Sequence, residues 1–594
     1  MPLDEITQSV LRHRFDSIAD EMETTLVRSA YSSIVKEAKD ASAAVFDPEG
    51  RTLAQAMAIP AHLGMLVPAV ESIIEKFPPA EMARDDVYLM NDPYDGGTHL
   101  PDITVVKPVV HDGEVIALGT TMAHHQEMGG KTPGSIPTDA TEIYQEGIRL
   151  PPLQYHDRGE VNETARQVLA KNVRIPDVVL GDLNAQISSV TTAERRLVDV
   201  AEEYGNATFL EAVDRIIDHA ETLTRAKIAE IPDGEYTFHD YVDDDGVNLH
   251  EPIRIEATVT VAGSELDIDF TGTDEQADGP VNAVPAATLS GVYYVVRAVT
   301  DPDIPNNAGC FAPVSVTMPE GSLVNPRPPA PVNARTVTFK RIADVLLGAL
   351  AQAVPDRVTA AGNGQLLSHR FSGFRDGEQW IYGEVGAGGS GARPTKDGLD
   401  CIDTDLTNCM NTPVEATELS APIRVRRYDL WVDSGGPGRF RGGLGYRKQF
   451  ELLTDGVTFT HRRDRHDFRP WGLRGGRAAP ACRTLIRRTD GEVESLPSQA
   501  VVSLDAGDVV DVHTTGGGGY GSPLDRPLEA VERDLEQERI SPEAAESAYG
   551  VVVADGSVDR AASRRRREAT RDADADADGD ARSRVDRGDV PVVE

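Results

Sequence analysis

The chain has few cysteines, and none of them has the spacing of a zinc site or a disulfide framework. Its 594 residues include four, Cys310, Cys401, Cys409 and Cys482. Pairs separated by two residues, which bind structural zinc or carry redox chemistry, are absent. The N-terminus carries acidic residues in place of the basic and then apolar run of a secretory leader. We therefore predict free thiols and a cytoplasmic protein.

Basic residues are scarce, and long apolar runs are missing. The chain has 59 basic against 97 acidic residues and a formal net charge of −38. Such a surface repels nucleic-acid phosphates and anionic lipids, so neither is an expected partner. No run of 18 apolar residues predicts a transmembrane helix. The acidic residues are dispersed along the chain, which is typical of proteins that stay soluble in high salt, so we predict halophilic adaptation.

Nucleotide-binding and serine-nucleophile motifs are missing or out of context. The sequence contains neither the G-x-x-x-x-G-K-[ST] phosphate loop nor the G-x-S-x-G nucleophile elbow. Residues 386–391 match G-x-G-x-x-G, but Pro394 prevents a helix from starting close behind them. The sequence therefore predicts no Rossmann or P-loop domain. If the reaction uses ATP, another chain is expected to bind it.

Hydrophobic periodicity predicts an α+β fold. Residues 3–30 and 183–229 show helical stripes, the second interrupted near Gly205, whereas residues 253–273 alternate as antiparallel strands do. Helices and strands are interleaved without a strict βαβ repeat. We therefore predict a large mixed fold of interleaved antiparallel sheets and helices.

The same patterns predict three regions along the chain. Residues 1–230 form an N-terminal helical region that contains the most polar cluster, and residues 231–556 form a mixed sheet and helix region. Together, residues 1–556 are expected to be one unit. Residues 557–594 contain RRRR and DADADADGD, which cannot supply a hydrophobic core, so disorder is the prediction there.

The segment 91–157 combines histidines, carboxylates and glycines between apolar strands. In THLPD, His99 and Asp102 stand three apart with a proline between them, which places both in a loop. His124 and His125 end an apolar strand, where neighbours point to opposite faces, so only one should join a shared site. Imidazole and carboxylate groups hold catalytic divalent ions. His99, Asp102 and His124 are therefore candidate metal ligands, although polar residues that cap strands explain the spacing equally well.

Three further residues are candidate catalytic residues, two of them for proton transfer. Glu146 in QEGIRLPP and His62 in PAHLG each lie in a segment bounded by glycine and proline and flanked by apolar residues. His125, the other member of the histidine pair, is the third candidate catalytic residue. The alternative is that Glu146 is a surface turn carboxylate and that His62 is a buried, hydrogen-bonded histidine.

Longer motifs resemble the hydantoinase B family. They include NDPYDGGTHLPD, HHQEMGGKTPGS, EGIRLPP, NVRIPDVVLGDLNAQ, DFTGTDEQADGPVNA and GDVVDVHTTGGGGYGSP, and the resemblance runs in linear order over about residues 4–550. That family includes the beta subunit of ATP-dependent N-methylhydantoinase, the C-terminal half of 5-oxoprolinase and the alpha subunit of acetone carboxylase.

The resemblance implies a divided reaction. A hydantoinase A-type partner of actin-like ATPase fold, with ATP and Mg²⁺, would phosphorylate a carbonyl or amide oxygen, and the B-type chain would complete the reaction. In carboxylase members a histidine, an aspartate three residues later and a histidine some twenty residues on hold a divalent metal, which matches His99, Asp102 and His124. Manganese, zinc and iron all suit these ligands.

Three functions follow from this resemblance. The first is the B-type subunit of an ATP-dependent cyclic-amide hydrolase that opens hydantoin or 5-oxoproline rings. The second is a subunit of an acetone- or acetophenone-type carboxylase, and the third is a non-catalytic scaffold for the A-type subunit. In each case we expect a hetero-oligomer, and the first two predict a small cyclic amide or a ketone as substrate.

Overall fold

The computed structural model describes residues 3–365, 367–554, 557–575 and 585–589. These ranges contain helices of four to 29 residues. None of the helices in these ranges is both long and apolar enough to cross a membrane. The helices are α1 Glu5–Ser29, α2 Ser33–Lys36, α3 His62–Lys76, α4 Glu163–Asn172, α5 Pro176–Tyr204, α6 Asn206–Ile228, α7 Pro285–Val299, α8 Arg335–Leu350, α9 Val414–Ser420, α10 Leu528–Glu536, α11 Pro542–Ser547 and α12 Arg560–Ala575.

The strands form several sheets and are almost all antiparallel to their neighbours. They are β1 Ala41–Phe46, β2 Thr52–Gln55, β3 Val87–Met90, β4 Asp102–His111, β5 Glu114–His124, β6 Leu153–Asp157, β7 Glu160–Val161, β8 Gly234–Val242, β9 Ile253–Ala262, β10 Glu265–Asp269, β11 Val314–Thr317, β12 Leu367–Arg375, β13 Glu378–Gly386, β14 Ile423–Leu430, β15 Tyr446–Leu452, β16 Val457–Arg462, β17 Arg483–Arg487, β18 Val493–Leu496, β19 Gln499–Leu504, β20 Val509–His513, β21 Val553–Ala554 and β22 Ser557–Val558.

The N-terminal helix forms where the sequence predicts it. The Asp4 carboxylate caps α1 by accepting a hydrogen bond from the Thr7 N–H at 2.7 Å. Arg28 lies in the last turn, where the partial negative charge of the helix C-terminus stabilises a cation. The buried stripe, which includes Phe15 and Met22, packs on α5 and on β1. The predicted break near Gly205 is also confirmed, because this residue adopts φ 80° between α5 and α6.

A seven-stranded antiparallel sheet is covered by helices on both faces. Its strand order is β2-β1-β5-β4-β3-β6-β7. Successive side chains of β1 point to opposite faces of the sheet. Ala43 and Val45 pack in the core with α1, α5 and α6, whereas Ala44 and Phe46 pack in the core with α3, α7 and α8. The second core continues into the C-terminal sheets. The two regions predicted on either side of residue 230 therefore share buried contacts.

The C-terminal half contains three larger sheets, of which the first packs on α8 and the other two share a separate core. Their orders are β11-β10-β9-β8, β13-β12-β16-β19 and β14-β15-β20-β17-β18, and β10 with β11 is a parallel pair. Every residue of α8 is buried. The α+β prediction of interleaved sheets and helices is confirmed.

The glycine-rich motifs meet in the interior, where backbone packs on backbone. A Cβ at Gly389 would lie 1.9 Å from the Gly443 carbonyl oxygen, and one at Gly442 would lie 1.8 Å from that of Gly517. Both distances are far below van der Waals contact. The G-x-G-x-x-G match at 386–391 therefore has a packing role, which agrees with the absence of a helix directly behind it.

The predicted disorder of residues 557–594 is wrong for part of that segment. Helix α12 covers Arg560–Ala575, and Arg567 is buried, donating hydrogen bonds to the carbonyls of Tyr549 and Arg526 at 2.8 and 2.6 Å. Arg560 pairs with Glu529 and Glu532 of α10. Arg560 and Arg567 thus attach α12 to the rest of the fold. Residues 576–584 and 590–594 lie outside the described residues.

Candidate metal centre

The loop that carries His99 is held by a buried asparagine. Asn91 follows β3 and donates its side-chain amide to the carbonyls of Leu100 and Ile148 at 2.7 and 3.1 Å, while its Oδ1 accepts the Leu150 N–H at 2.7 Å. All three contacts are to backbone groups. They fix residues 91–101 on the segment 148–150, and so fix where His99 lies relative to the end of β4.

His99, Asp102 and His124 meet at one point. Asp102 begins β4 and is paired in register with His124, which ends β5. His99 Nε2 lies 2.9 Å from Asp102 Oδ1 and 3.1 Å from His124 Nδ1, and His124 Nδ1 lies 3.2 Å from the same carboxylate oxygen. All three residues are buried. The structure therefore brings the three predicted ligands together.

This geometry fits a bound divalent ion. Donor atoms about 2.1 Å from one ion lie roughly 3.0 to 3.4 Å apart in tetrahedral or octahedral coordination, close to the observed separations. His99 Nδ1 lies 3.3 Å from the Asn333 carbonyl oxygen, which can accept its proton and leave the Nε2 lone pair free. His99 Nε2, His124 Nδ1 and Asp102 Oδ1 can each present a lone pair to one point, so a single cation can satisfy all three atoms.

Electrostatics keep these groups in the ligating state. Burial and the Arg335 guanidinium hold the pKa of His99 well below its usual value, and burial lowers the pKa of His124 to about 4. Burial opposes ionisation of Asp102, but His99 and Arg335 outweigh it and hold the pKa of that carboxyl well below its usual range. At neutral pH the set therefore consists of two neutral imidazoles and one carboxylate, the forms that bind metals.

A narrow cavity of about 20 Å³, with room for about one water molecule, lies against the triad. It lies where α3, α8, the β4–β5 edge and the β12–β16 pair meet. Asp40 lines it beside His124, whose N–H donates to the Asp40 carbonyl at 3.1 Å. Burial and the Asp102 charge raise the pKa of the Asp40 carboxyl to about 7. Sequence reasoning missed Asp40, which directly precedes β1.

Three buried arginines also line the cavity and were missed. They are Arg335 at the start of α8, Arg370 in β12 and Arg462 at the end of β16. Burial lowers the pKa of Arg370 to about 10 and that of Arg462 to about 9, so both stay cationic at neutral pH. No local motif marks these residues, because they reach the site from more than 200 residues along the chain.

Of the three predicted catalytic residues, His62 lines the cavity. It is the first residue of α3, its Nδ1 has no hydrogen-bond partner among the described residues, and burial lowers its pKa to about 4. At neutral pH this imidazole is therefore uncharged and can act as a hydrogen-bond acceptor. Its burial agrees with the alternative considered from the sequence, but its free Nδ1 differs from a fully hydrogen-bonded histidine.

His125 points away from the triad, as strand alternation predicts for one of the two histidines. Its Nε2 lies 3.0 Å from the Gln186 side-chain oxygen, and it does not line the cavity. Glu146 also lies outside the lining. Its Oε1 accepts the N–H groups of Val332 and Asn333 at 2.9 and 2.8 Å, and burial raises its pKa to about 8. Glu146 is thus a buried carboxyl beneath the Asn333 carbonyl that faces His99, and not a surface turn group.

Comparison with known proteins adds the family context. The Hydantoinase B/oxoprolinase family model matches residues 4–523. A Pseudomonas sp. (strain NS671) protein, named as the B-type subunit of a "putative D-/L-hydantoinase", is 34% identical over 569 residues, which cover 93% of this chain and 96% of that protein.

Two solved structures share the fold over almost the whole chain. The ATP-dependent caprolactamase from Pseudomonas jessenii superposes with a TM-score of 0.89 at 31% identity, covering 96% of this chain and 100% of that one. A nucleotide-free acetone carboxylase structure also gives a TM-score of 0.89, at 20% identity, covering 97% of this chain and 84% of that one. At that lower identity the likeness to acetone carboxylase shows the fold alone.

Proposed function

Because the chain belongs to the hydantoinase B/oxoprolinase family, we propose that it is the B-type subunit of an ATP-dependent cyclic-amide hydrolase. The substrates are hydantoin, 5-oxoproline or lactam rings. The observation that carries the proposal is the buried His99–Asp102–His124 set inside a cavity. The relatives named as subunits support a hetero-oligomer. We assign ATP and Mg²⁺ to a separate hydantoinase A-type partner.

The chemistry starts from a poor electrophile, since an amide carbonyl resists water. Phosphorylation of its oxygen by the partner gives a cyclic imidate phosphate, to whose carbon the oxygen of a water adds. The ring nitrogen takes a proton and leaves with the C–N electron pair, which opens the ring to an acyl phosphate. A second water then adds to the same carbon, and the C–O bond breaks as phosphate leaves with its electron pair.

The residues divide this work. His99, Asp102 and His124 would hold a divalent ion, with manganese, zinc and iron all suited to two imidazoles and a carboxylate, and the ion would supply Lewis acidity and an activated water. His62 accepts the water proton at its free Nδ1. Glu146 supports the loop whose Asn333 carbonyl orients His99, and Gln186 holds His125 behind β5. We therefore give Glu146 and His125 positioning roles rather than proton transfer.

A ketone carboxylase subunit is the second candidate. The acetone carboxylase structure has the same fold over 97% of this chain, so the scaffold is compatible with that reaction. The hydrolase is favoured because the hydantoinase and caprolactamase relatives are more similar in sequence, at 34% and 31% identity against 20%.

The test is turnover of the complex with its A-type partner. ADP release and ring-opened product are measured on 5-oxoproline, hydantoin, caprolactam, acetone and acetophenone, each with and without bicarbonate. We expect bicarbonate-independent hydrolysis of a cyclic amide. Strict bicarbonate dependence with a ketone would establish the carboxylase instead. Unchanged hydrolysis by an Asp102→Ala complex would leave only the scaffold role for this chain.

A further inference from the structure

The cavity around the triad contains more positive charge than the triad needs. Arg335, Arg370 and Arg462 come from three separate elements, and each is at least 96% buried. The carboxylates in the lining are Asp40 and Asp102. Buried guanidinium groups are normally matched by carboxylates, and a divalent ion at the triad would add two further positive charges. The excess predicts an anionic ligand.

Much of the hydrogen-bonding capacity of these arginines is unused. Arg335 Nη2 donates to Asp102 Oδ2 at 2.5 Å, and Arg462 Nη1 donates to the Asn333 carbonyl at 2.8 Å. Arg370 Nη2 lies 3.3 Å from His124 Nε2. Other guanidinium nitrogens find no partner in the described part of the chain, namely Nε and Nη1 of Arg335 and of Arg370, and Nε of Arg462.

Two hydroxyl groups extend this set. Ser368 Oγ and Thr336 Oγ1 are buried, line the same cavity and have no partner among the described residues. Ser368 is paired in register with Arg462 across β12 and β16. Thr336 is the second residue of the 16-residue helix α8, whose N-terminus carries partial positive charge. Guanidinium and hydroxyl donors thus line one cavity from three elements, beside the N-terminus of α8.

We propose that Arg335, Arg370 and Arg462, with Ser368 and Thr336, form the binding site for the phosphoryl group of the activated substrate. This inference rests on the proposed function, in which a phosphorylated intermediate reaches the chain. A phosphoryl group carries up to two negative charges and three strong acceptor oxygens, which matches the number and type of the unused donors better than a carboxylate with one charge and two oxygens does.

The position of the site explains its role. Arg335 contacts Asp102 and Arg370 contacts His124, so a phosphoryl group bound there lies beside the metal ligands. The arginines stabilise the acyl phosphate and then the phosphate that leaves with the C–O electron pair. Because the cavity is narrow, the guanidinium groups must turn as the phosphoryl group enters. Among the described residues, the Arg370 guanidinium makes one hydrogen-bond contact, to His124.

Direct binding of inorganic phosphate to the full chain tests the site without relying on turnover. Calorimetric titrations compare the wild type with Arg370→Gln and Arg462→Gln, at the lowest salt that leaves the circular dichroism spectrum unchanged. Arg375→Gln is the matched control, because this arginine lies on the same strand β12 with a side chain that is 71% exposed. Arg370→Lys keeps the positive charge, so a folded Arg370→Lys protein that binds phosphate better than Arg370→Gln shows that the loss in the glutamine variant comes from the site and not from unfolding.

We expect the phosphate Kd to rise at least tenfold in Arg370→Gln and Arg462→Gln, to rise less in Arg370→Lys, and to stay unchanged in Arg375→Gln. Metal content measured in the same samples should not change. Equal phosphate affinity in all variants would overturn the proposal, as would loss of phosphate binding on chelation alone. Acetate binding as tightly as phosphate would overturn the assignment to a phosphoryl group.

Methyl phosphate distinguishes the two sources of the ligand. Binding of methyl phosphate with the affinity of inorganic phosphate supports a site for the substituted phosphoryl group of the intermediate, whereas binding of inorganic phosphate alone supports a site for the released product. Turnover of the complex is measured separately. Phosphate binding that depends on the arginines without cyclic-amide hydrolysis would refute the proposed function and leave the site standing.

Discussion

Replacing Asp102 by asparagine should abolish stoichiometric metal binding. Asp102 is the only anionic member of the triad, and its Oδ1 faces both imidazole nitrogens at 2.9 and 3.2 Å. Changes to residues that merely support metal ligands cost about 10- to 100-fold in affinity. Loss of the charged ligand itself should cost at least about 100-fold, or roughly 2.8 kcal/mol at about 1.4 kcal/mol per tenfold change in affinity.

The same substitution has a second cost. Asp102 Oδ2 pairs with the buried Arg335 guanidinium, so asparagine leaves that cation without a counter-charge. Breaking a buried ion pair from one side destabilises a protein by about 3 to 5 kcal/mol. The free energy of unfolding of the metal-free protein should therefore fall, and this change must be measured separately from the loss of metal affinity.

The assay is metal analysis after dialysis against micromolar manganese, zinc or iron(II), followed by a competition titration for affinity. We expect about one ion per wild-type chain and almost none in Asp102→Asn. Asp511→Asn is the control, because Asp511 is equally buried and pairs with Arg447 and Arg487, away from the cavity. Wild-type stoichiometry and affinity in folded Asp102→Asn would refute the assignment of the metal centre.

Three further predictions follow from single groups and from the surface. His62→Gln should keep its metal but lose about 100-fold or more in turnover of the complex, measured as ring-opened product, because it lacks the free imidazole nitrogen. Burial raises the pKa of Glu146 to about 8, so the folded state holds its proton. The stability that this proton contributes is complete below the unfolded pKa of about 4.3 and is lost as pH rises towards 8. Glu146→Gln should therefore flatten the pH dependence of the unfolding free energy by up to about 1.4 kcal/mol per pH unit in denaturant titrations. If the net charge of −38 reflects halophilic adaptation, the melting temperature should rise on transfer from dilute buffer to molar potassium chloride, and an unchanged melting temperature would contradict that adaptation.

Local patterns predicted the elements and part of the site. The α1 stripe, the helix break at Gly205 and the divergence of His124 and His125 each depend on a periodicity or on one conformational preference. The His99–Asp102 spacing belongs to the same class, because both residues lie at one strand end. Membership of the hydantoinase B family was also predicted from motifs and is confirmed.

The rest of the cavity depends on contacts between distant parts of the chain. Arg335 reaches Asp102 across 233 positions, and Arg370 reaches His124 across 246. Helix α8 has no polar face in the structure, since all of its residues are buried, so its arginines and its lysine gave no periodic signal. The environment of Glu146 could not be predicted from the sequence for the same reason, because its backbone partners at 332 and 333 are brought to it by tertiary packing.

The close backbone packing of the glycine-rich motifs affects how a mutational scan of this protein is interpreted. At Gly389, Gly442 and Gly517 even a methyl group would overlap a carbonyl of another segment, and no side chain is present there to rotate away. Overpacking at such points shifts the backbone itself and is strongly destabilising. A scan scored by enzyme activity alone would show these glycines to be as intolerant as the residues of the His99–Asp102–His124 triad. Measuring soluble yield beside activity separates positions that build the protein from positions that perform its chemistry.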